Sequence, residues 1–281
     1  MIRMIPSLKL VLIVLCGLFA EAHAEEAPLP KWMSEVTTFK PGKFKLLAPC
    51  ELEYQLSWNG ILKAGEATVQ LGLKDAKGRK DVLLGTCKGR SAGLAKQFWY
   101  YKNSFESVTR KSTLRPVYFL SQEIEKKEKV TTRADFVGGV VKSRETVEQR
   151  KGAPNSKTKE RVFAFDQSHD MLSALLYLRS LPLNDNDEIT MVVHPFKSAY
   201  LTKFRVLGRE KFKTSLGIKN AIKLEIKLHK IGSNMELKSY KKFKSAKIWF
   251  SDDLFRLPLE VRSEVFIGSV RATLEARKFL N

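Results

Sequence analysis

Asp166-Gln-Ser-His-Asp-Met-Leu-Ser-Ala-Leu-Leu-Tyr-Leu-Arg-Ser-Leu181 decides the fold, because it reads as helix in a chain that otherwise reads as strands and turns. Asp166 or Ser168 can cap its start by accepting a hydrogen bond from an unpaired backbone N–H. Pro182 ends it, since the residue before a proline is pushed out of the helical region. Met171, Leu172, Leu175, Leu176 and Leu178, widened by Ala174 and Tyr177, cover more than one stripe. A helix apolar nearly all round is a buried helix. The expected fold class is therefore mainly β: a strongly curved antiparallel sheet, an open barrel or β-spiral, wrapped around one central helix at about 167–181.

Working outward, the strands announce themselves by period-two alternation. Glu51 to Trp58 places Leu52, Tyr54, Leu56 and Trp58 on one face, and Asn59-Gly60 is the turn dipeptide that matches the twist of paired strands. Ile61 to Leu73 returns, a turn is expected at Asp75 to Gly78, and Asp81 to Gly89 is a third strand. Residues 117–129 and 131–150 read as two long strands joined near Val130. Beyond the helix, strands are expected at 188–194, 204–213, 218–231, 235–250, 257–266 and 268–279. Ile222, Leu224, Ile226 and Leu228 alternate with Lys223, Glu225, Lys227 and His229, so apolar and charged side chains take opposite faces.

The first residues read as an export signal. Arg3 and Lys9 precede the apolar run Leu10 to Ala20, and Ala22-His23-Ala24 is a small-x-small cleavage site. The expected organisation is a cleaved signal at 1–24, an extended lead-in at 25–45 and one β-rich domain at 46–281. The run is too short to cross a bilayer, and no later stretch is apolar enough to do so. Bulky Leu15 before Cys16 argues against a lipid anchor, so the chain is expected in the periplasm or outside the cell. Two cysteines remain, Cys50 and Cys87. In an oxidising compartment they invite a disulfide, with two buried thiols as the alternative.

The formal charge is +20, which favours an anionic partner. For an exported chain that partner is an envelope component, lipid or glycan, or an envelope protein, rather than nucleic acid. Between Phe196 and Phe250 the sequence holds fifteen Lys or Arg and three Glu. Lys219, Lys223 and Lys227 share one strand face, and Lys238, Lys241, Lys242, Lys244 and Lys247 lie on the expected partner strand. Like charges opposed across strands repel, and an anionic ligand would relieve them; a lysine-protected edge is the competing explanation. Lys223, Lys227, Lys238, Lys242, Lys244 and Trp249 are accordingly the candidate ligand-binding residues, with Trp58, Trp99, Tyr100 and Tyr101 as further aromatics for a groove.

Signals for chemistry are weak. His169, His194 and His229 have no paired ligand spacing, so neither a metal site nor a cofactor is expected. Ser168-His169-Asp170 has the residue types of a hydrolytic triad, but chain neighbours rarely face one another in that geometry. Capping explains Ser168 and Asp170 better. Asp252 and Asp253 sit where a turn is expected, with Arg256 as a pairing partner. Arg179 can interact with the last helical carbonyls, a buried ion pair or ligand contact being the alternative.

An ordered series of short motifs carries a resemblance. Tyr54-x-Leu-x-Trp58-x-Gly60 and Gly65-x-Ala67 are followed by Leu172, Ser173 and Arg179 in the helix. Val206-x-Gly208-Arg-Glu210, Trp249-x-Ser-Asp-Asp253-x-x-Arg256-x-Pro258 and Gly268-x-x-x-Ala272-x-Leu274 complete it. The series resembles the exported bacterial domain-of-unknown-function family 3108 over most of the chain beyond residue 24. The resemblance implies a periplasmic β-rich fold, similar in style to the curled sheets of lipoprotein carriers, and no reaction. The expected function is a non-enzymatic envelope protein that binds an anionic lipid, glycan or protein partner. The alternatives are an envelope-polymer hydrolase whose site is assembled from distant residues, and a purely structural partner protein.

Overall fold

A computed structural model describes residues 29–37, 40–44, 48–74, 78–93, 95–98, 100–151, 155–239, 245–264 and 268–280. The expected signal segment at 1–24, Trp99, Lys241, Lys242, Lys244 and residues 75–77 of the expected turn lie outside the described residues. The chain divides into Met1–Met33 and a compact unit, Ser34–Asn281, which holds every strand below.

Sixteen strands form one sheet. The first eight are β1 (Cys50–Trp58), β2 (Leu62–Lys74), β3 (Val82–Ser91), β4 (Tyr101–Arg110), β5 (Pro116–Glu125), β6 (Glu128–Val137), β7 (Val140–Gln149) and β8 (Ser156–Ala164). A short helix, α1 (Ala95–Phe98), interrupts the β3–β4 connection. Then follow β9 (Ser168–Asp170), helix α2 (Met171–Ser180), β10 (Glu188–His194), β11 (Tyr200–Thr214), β12 (Gly217–Ile231), β13 (Leu237–Ser239), β14 (Ser245–Ser251), β15 (Pro258–Glu264) and β16 (Ser269–Phe279). The order runs β8 back to β1, then β16, β15, β14, β12, β11, β10 and β9, with β13 beside β12. All pairs are antiparallel except β9 with β10. Strands β8 and β9 are the two ends, and the sheet is not closed.

The sheet curls until its ends overlap. Beyond β10, the Phe196 ring packs 5.6 Å from Phe105 of β4, and Lys197 reaches Glu145 of β7 at 2.8 Å. His194 of β10 sets its ring edge-on to Phe136 of β6 and Phe163 of β8. Meanwhile Met191 and Val193 of β10 pack with Ala174, Tyr177 and Leu178 of α2. Strand β10, next to the end strand β9, thus has the helix on one face and the inner face of β6–β8 on the other.

Three sequence expectations are corrected. The helix is Met171–Ser180, and residues 168–170, expected to be helical, form β9. Asp170, not Asp166 or Ser168, is the cap: its carboxylate accepts from Leu172 N and Ser173 N, while Ser173 Oγ accepts from Asp170 N. Parallel pairing of 168–170 with β10 outweighs one further helical turn. Leu181, before Pro182, is extended as expected. Second, the two long strands at 117–150 are three, because Gly138 and Gly139 turn the chain with φ of 60° and 79°. Third, the expected disulfide is not formed: Cys50 and Cys87 are free. They lie opposite Leu71 and Val69 on the two sides of β2. Two strand spacings of ~4.8 Å put them beyond the ~7 Å reach of a disulfide.

Candidate functional site

Of the lysines expected to bind a ligand, the three that are described each pair with a nearby acid. Lys223 reaches Glu210 at 3.2 Å, Lys227 reaches Glu225 at 3.3 Å and Lys238 reaches Glu236 at 2.5 Å. Trp249 is 2% exposed, because the β11–β12 hairpin folds across β14 and stacks Phe212 on it at 5.1 Å. Its indole N–H donates to Glu210 at 2.6 Å, and Lys223 and Arg262 cover the ring. Hydrogen bonds from Trp249 and then Lys223 hold the Glu210 carboxyl below its usual range. Trp249 is therefore a core anchor with no free face for a ligand. The positive side chains of β12 point outward as the alternation requires, and Glu210 and Glu225 pair with two of them.

The residues of the apparent triad are structural too. The Asp170 carboxylate, fully buried, also accepts from Ser107 Oγ at 2.8 Å, so it ties the helix start to β4. Burial pushes its pKa up against the pull of those donors. His169 is buried against Tyr177, and burial holds it well below the usual imidazole range. Ser168 Oγ donates to Phe165 O. Among the described residues, no group of three or more His, Cys, Asp or Glu is placed to hold a metal ion.

Arg179 is fully buried at the end of α2, and it does not serve its own helix. Nε donates to Arg256 O at 3.2 Å and Nη2 to Phe255 O at 3.0 Å, pinning the β14–β15 turn. Burial lowers its pKa, partly offset by the neighbouring Cys50 and Tyr54. Arg256 completes the lock, pairing with Asp252 at 2.8 Å and donating to Pro182 O. Asp252 and Asp253 are turn residues, as expected; Asp253 caps Phe255 N and Arg256 N.

Two cavities among the described residues offer candidate sites. One, of about 740 Å³, lies on the outward face of β1–β5. Strand register builds its floor from two ranks of side chains. Glu53, Thr68, Lys88, Ser104 and Gln122 stand opposite one another across five strands, and Gln55, Glu66, Arg90, Lys102 and Ile124 form the second rank. Arg90 binds Glu66 at 2.6 Å and holds that carboxyl low. Cations, amides and hydroxyls in ranks suit an extended polar ligand bearing negative charge. No stretch of sequence contains this groove, since each strand gives it four residues at most.

The other cavity, about 490 Å³, opens at the mouth of the curl between β5–β7 and the β10–β11 connection. Phe196, Tyr200, Val130 and Val147 line it together with Glu123, Glu125, Glu128 and Glu145. Burial raises the Glu123 pKa, against the hydrogen bond it accepts from Tyr101 at 2.5 Å.

The family model described as "Protein of unknown function (DUF3108)" matches residues 53–275. No curated protein matches the chain. Three solved structures resemble it at a distance. A beta-barrel-like protein of domain of unknown function DUF1849 from Brucella abortus is 10% identical, covering 84% of this chain and 99% of its own, with a TM-score of 0.49. A candidate exported protein with a YmcC-like fold from Bacteroides fragilis is 9% identical, covering 85% and 98%, with a TM-score of 0.34. A candidate lipoprotein from Parabacteroides distasonis is 9% identical, covering 86% and 99%, with a TM-score of 0.32. No described helix is long and apolar enough to cross a membrane.

Proposed function

From the premise that this chain belongs to the DUF3108 family, we propose that it is an exported, non-enzymatic protein of the cell envelope. Its curled sheet closes around α2, and it binds an anionic envelope component on the outside. The ligand is a phosphate- or carboxylate-bearing glycan segment or lipid headgroup, held in the groove on β1–β5. The ranked floor of that groove carries the reading: Lys88 and Lys102 stand within two registered rows beside Gln55, Ser104 and Gln122, with Arg90 held by Glu66. The helix supports it by exclusion, since Leu172, Leu176, Tyr177 and Leu178 fill the space a carrier would need inside. Purification from the native envelope, followed by mass spectrometry of co-purifying lipid and glycan, tests it. An enriched anionic component displaced by Lys88→Glu/Lys102→Glu is expected; one stoichiometric protein partner and no such component would refute it.

The mouth cavity favours a second reading, a hydrolase of envelope polymers. Glu123, its pKa raised by burial, shares that cavity with Glu145, and glycoside hydrolysis uses such pairs. Polymer turnover abolished by Glu123→Gln would establish it.

A further inference from the structure

We propose that the chain of turns at one end of the sheet docks on an anionic lipid surface, with the Ile61–Leu62 tip as its insertion point. This does not depend on the groove.

The turns at this end form one continuous rim. Asn59, in the β1–β2 turn, exchanges hydrogen bonds with Ser269 at the start of β16, each 2.7 Å long. Ala92 N, in the β3–β4 connection, donates to Ala64 O of β2 at 3.0 Å. The β5–β6 turn joins next, Lys126 Nζ donating to Gln97 O of α1 at 3.2 Å. The β7–β8 turn closes the row, with Arg150 N bonded to Lys127 O at 2.8 Å and the Arg150 guanidinium bonded to Glu125 O.

Two properties of this rim point to lipid. Ile61 is 91% exposed and Leu62 48%, adjacent at the very tip of a hairpin. An interior-type residue left that bare, where nothing in the fold needs it, is what an interface would bury. Around it the exposed cations Lys63, Lys96, Lys126, Lys127, Arg150 and Lys151 outnumber the rim acids Glu66, Glu125, Glu128 and Glu264, Glu66 lying 3.8 Å from Lys63. Tyr100, with Lys102 at 5.8 Å and Arg150 at 5.7 Å from its ring, adds an amphipathic side chain at the same level. Apolar tips ringed by cations bind where acyl chains lie beneath anionic headgroups; charge complementarity thus favours a lipid surface over a second copy of this equally basic chain.

Vesicles of phosphatidylglycerol and phosphatidylethanolamine, compared with phosphatidylcholine alone, provide the test. The Ile61→Trp variant should shift its tryptophan emission to the blue on the anionic vesicles and not on phosphatidylcholine. Ile61→Asp/Leu62→Ser should reduce co-sedimentation at least tenfold. Lys126→Glu/Lys127→Glu should weaken it about fivefold or more for each cation lost. Circular dichroism should be unchanged in all of them, since these side chains are exposed. An absent blue shift overturns the proposal. So does equal weakening by Lys80→Glu/Lys111→Glu at the opposite end. Lipid-free self-association that Ile61→Asp abolishes also overturns it, assigning the tip to a second copy.

Discussion

Arg179 shows how a single side chain can organise this core. Buried guanidinium groups are costly unless their protons are used, and here Nε and Nη2 are spent on the carbonyls of Arg256 and Phe255. Arg179→Ala should therefore destabilise the chain by about 3 kcal/mol or more, from the cavity and the two orphaned carbonyls. Arg179→Met keeps the volume and should cost less, about 1–2 kcal/mol; urea midpoints of the two variants check the order. The sequence reading put Arg179 on its own helix's last carbonyls, with burial as the alternative, and its partners were not legible, because they come from a turn 76 and 77 residues away. His194 makes a second test. Burial depresses its pKa to about 3 from 6.5, so below pH 6.5 the unfolded chain binds a proton that the folded chain refuses. Stability from this group is complete above about 6.5 and is lost as pH falls toward 3. The raised Asp170 carboxyl works in the opposite direction, so the comparison must isolate the histidine. His194→Phe, between Phe136 and Phe163, should lose about 1 kcal/mol less than the parent chain on going from pH 7 to pH 5.5. Equal losses would refute the assignment.

At the scale of elements, helix α2 is set by its ends. Asp170 satisfies two first-turn N–H groups and Ser107 together. At the other end Ser180 O accepts from Phe44 N at 3.1 Å, and Ser180 Oγ accepts from Gly42 N at 3.0 Å. A Cβ on Gly42 would lie 2.1 Å from Ser180 O, so only glycine lets the lead-in segment pass this close. Asp170→Ala should cost about 2–3 kcal/mol, the cap plus a stranded Ser107 hydroxyl; a thermal midpoint unchanged within error would show the cap to be redundant. The existence and burial of the helix were readable from Met171 to Leu178, as were hairpins marked by Asn59-Gly60. Its first turn was not, because the pairing of Ser168–Asp170 with β10 is a tertiary choice. Likewise Lys126-Lys127 turns the chain without any residue that favours a turn, so the sequence reading put the break near Val130, inside β6, and ran the rest of β6 into β7.

For the whole molecule, net charge alone does not place a ligand. The basic stretch from Phe196 to Phe250 reads as a ligand face, yet Lys223, Lys227 and Lys238 meet Glu210, Glu225 and Glu236. Trp249 shares the sheet face of Lys223 and is buried there because Phe212 of the β11–β12 hairpin stacks on it. The groove on β1–β5 draws instead on residues too scattered for any motif, and only the register brings them into ranks. Its claim is that binding happens outside a filled curl. Calorimetric titration with a phosphorylated core oligosaccharide of lipopolysaccharide tests this most directly. Saturable binding should fall at least tenfold in Lys88→Glu/Lys102→Glu and remain unchanged in Lys223→Glu/Lys227→Glu. Binding untouched by the groove variant, or lost equally in both, would contradict it.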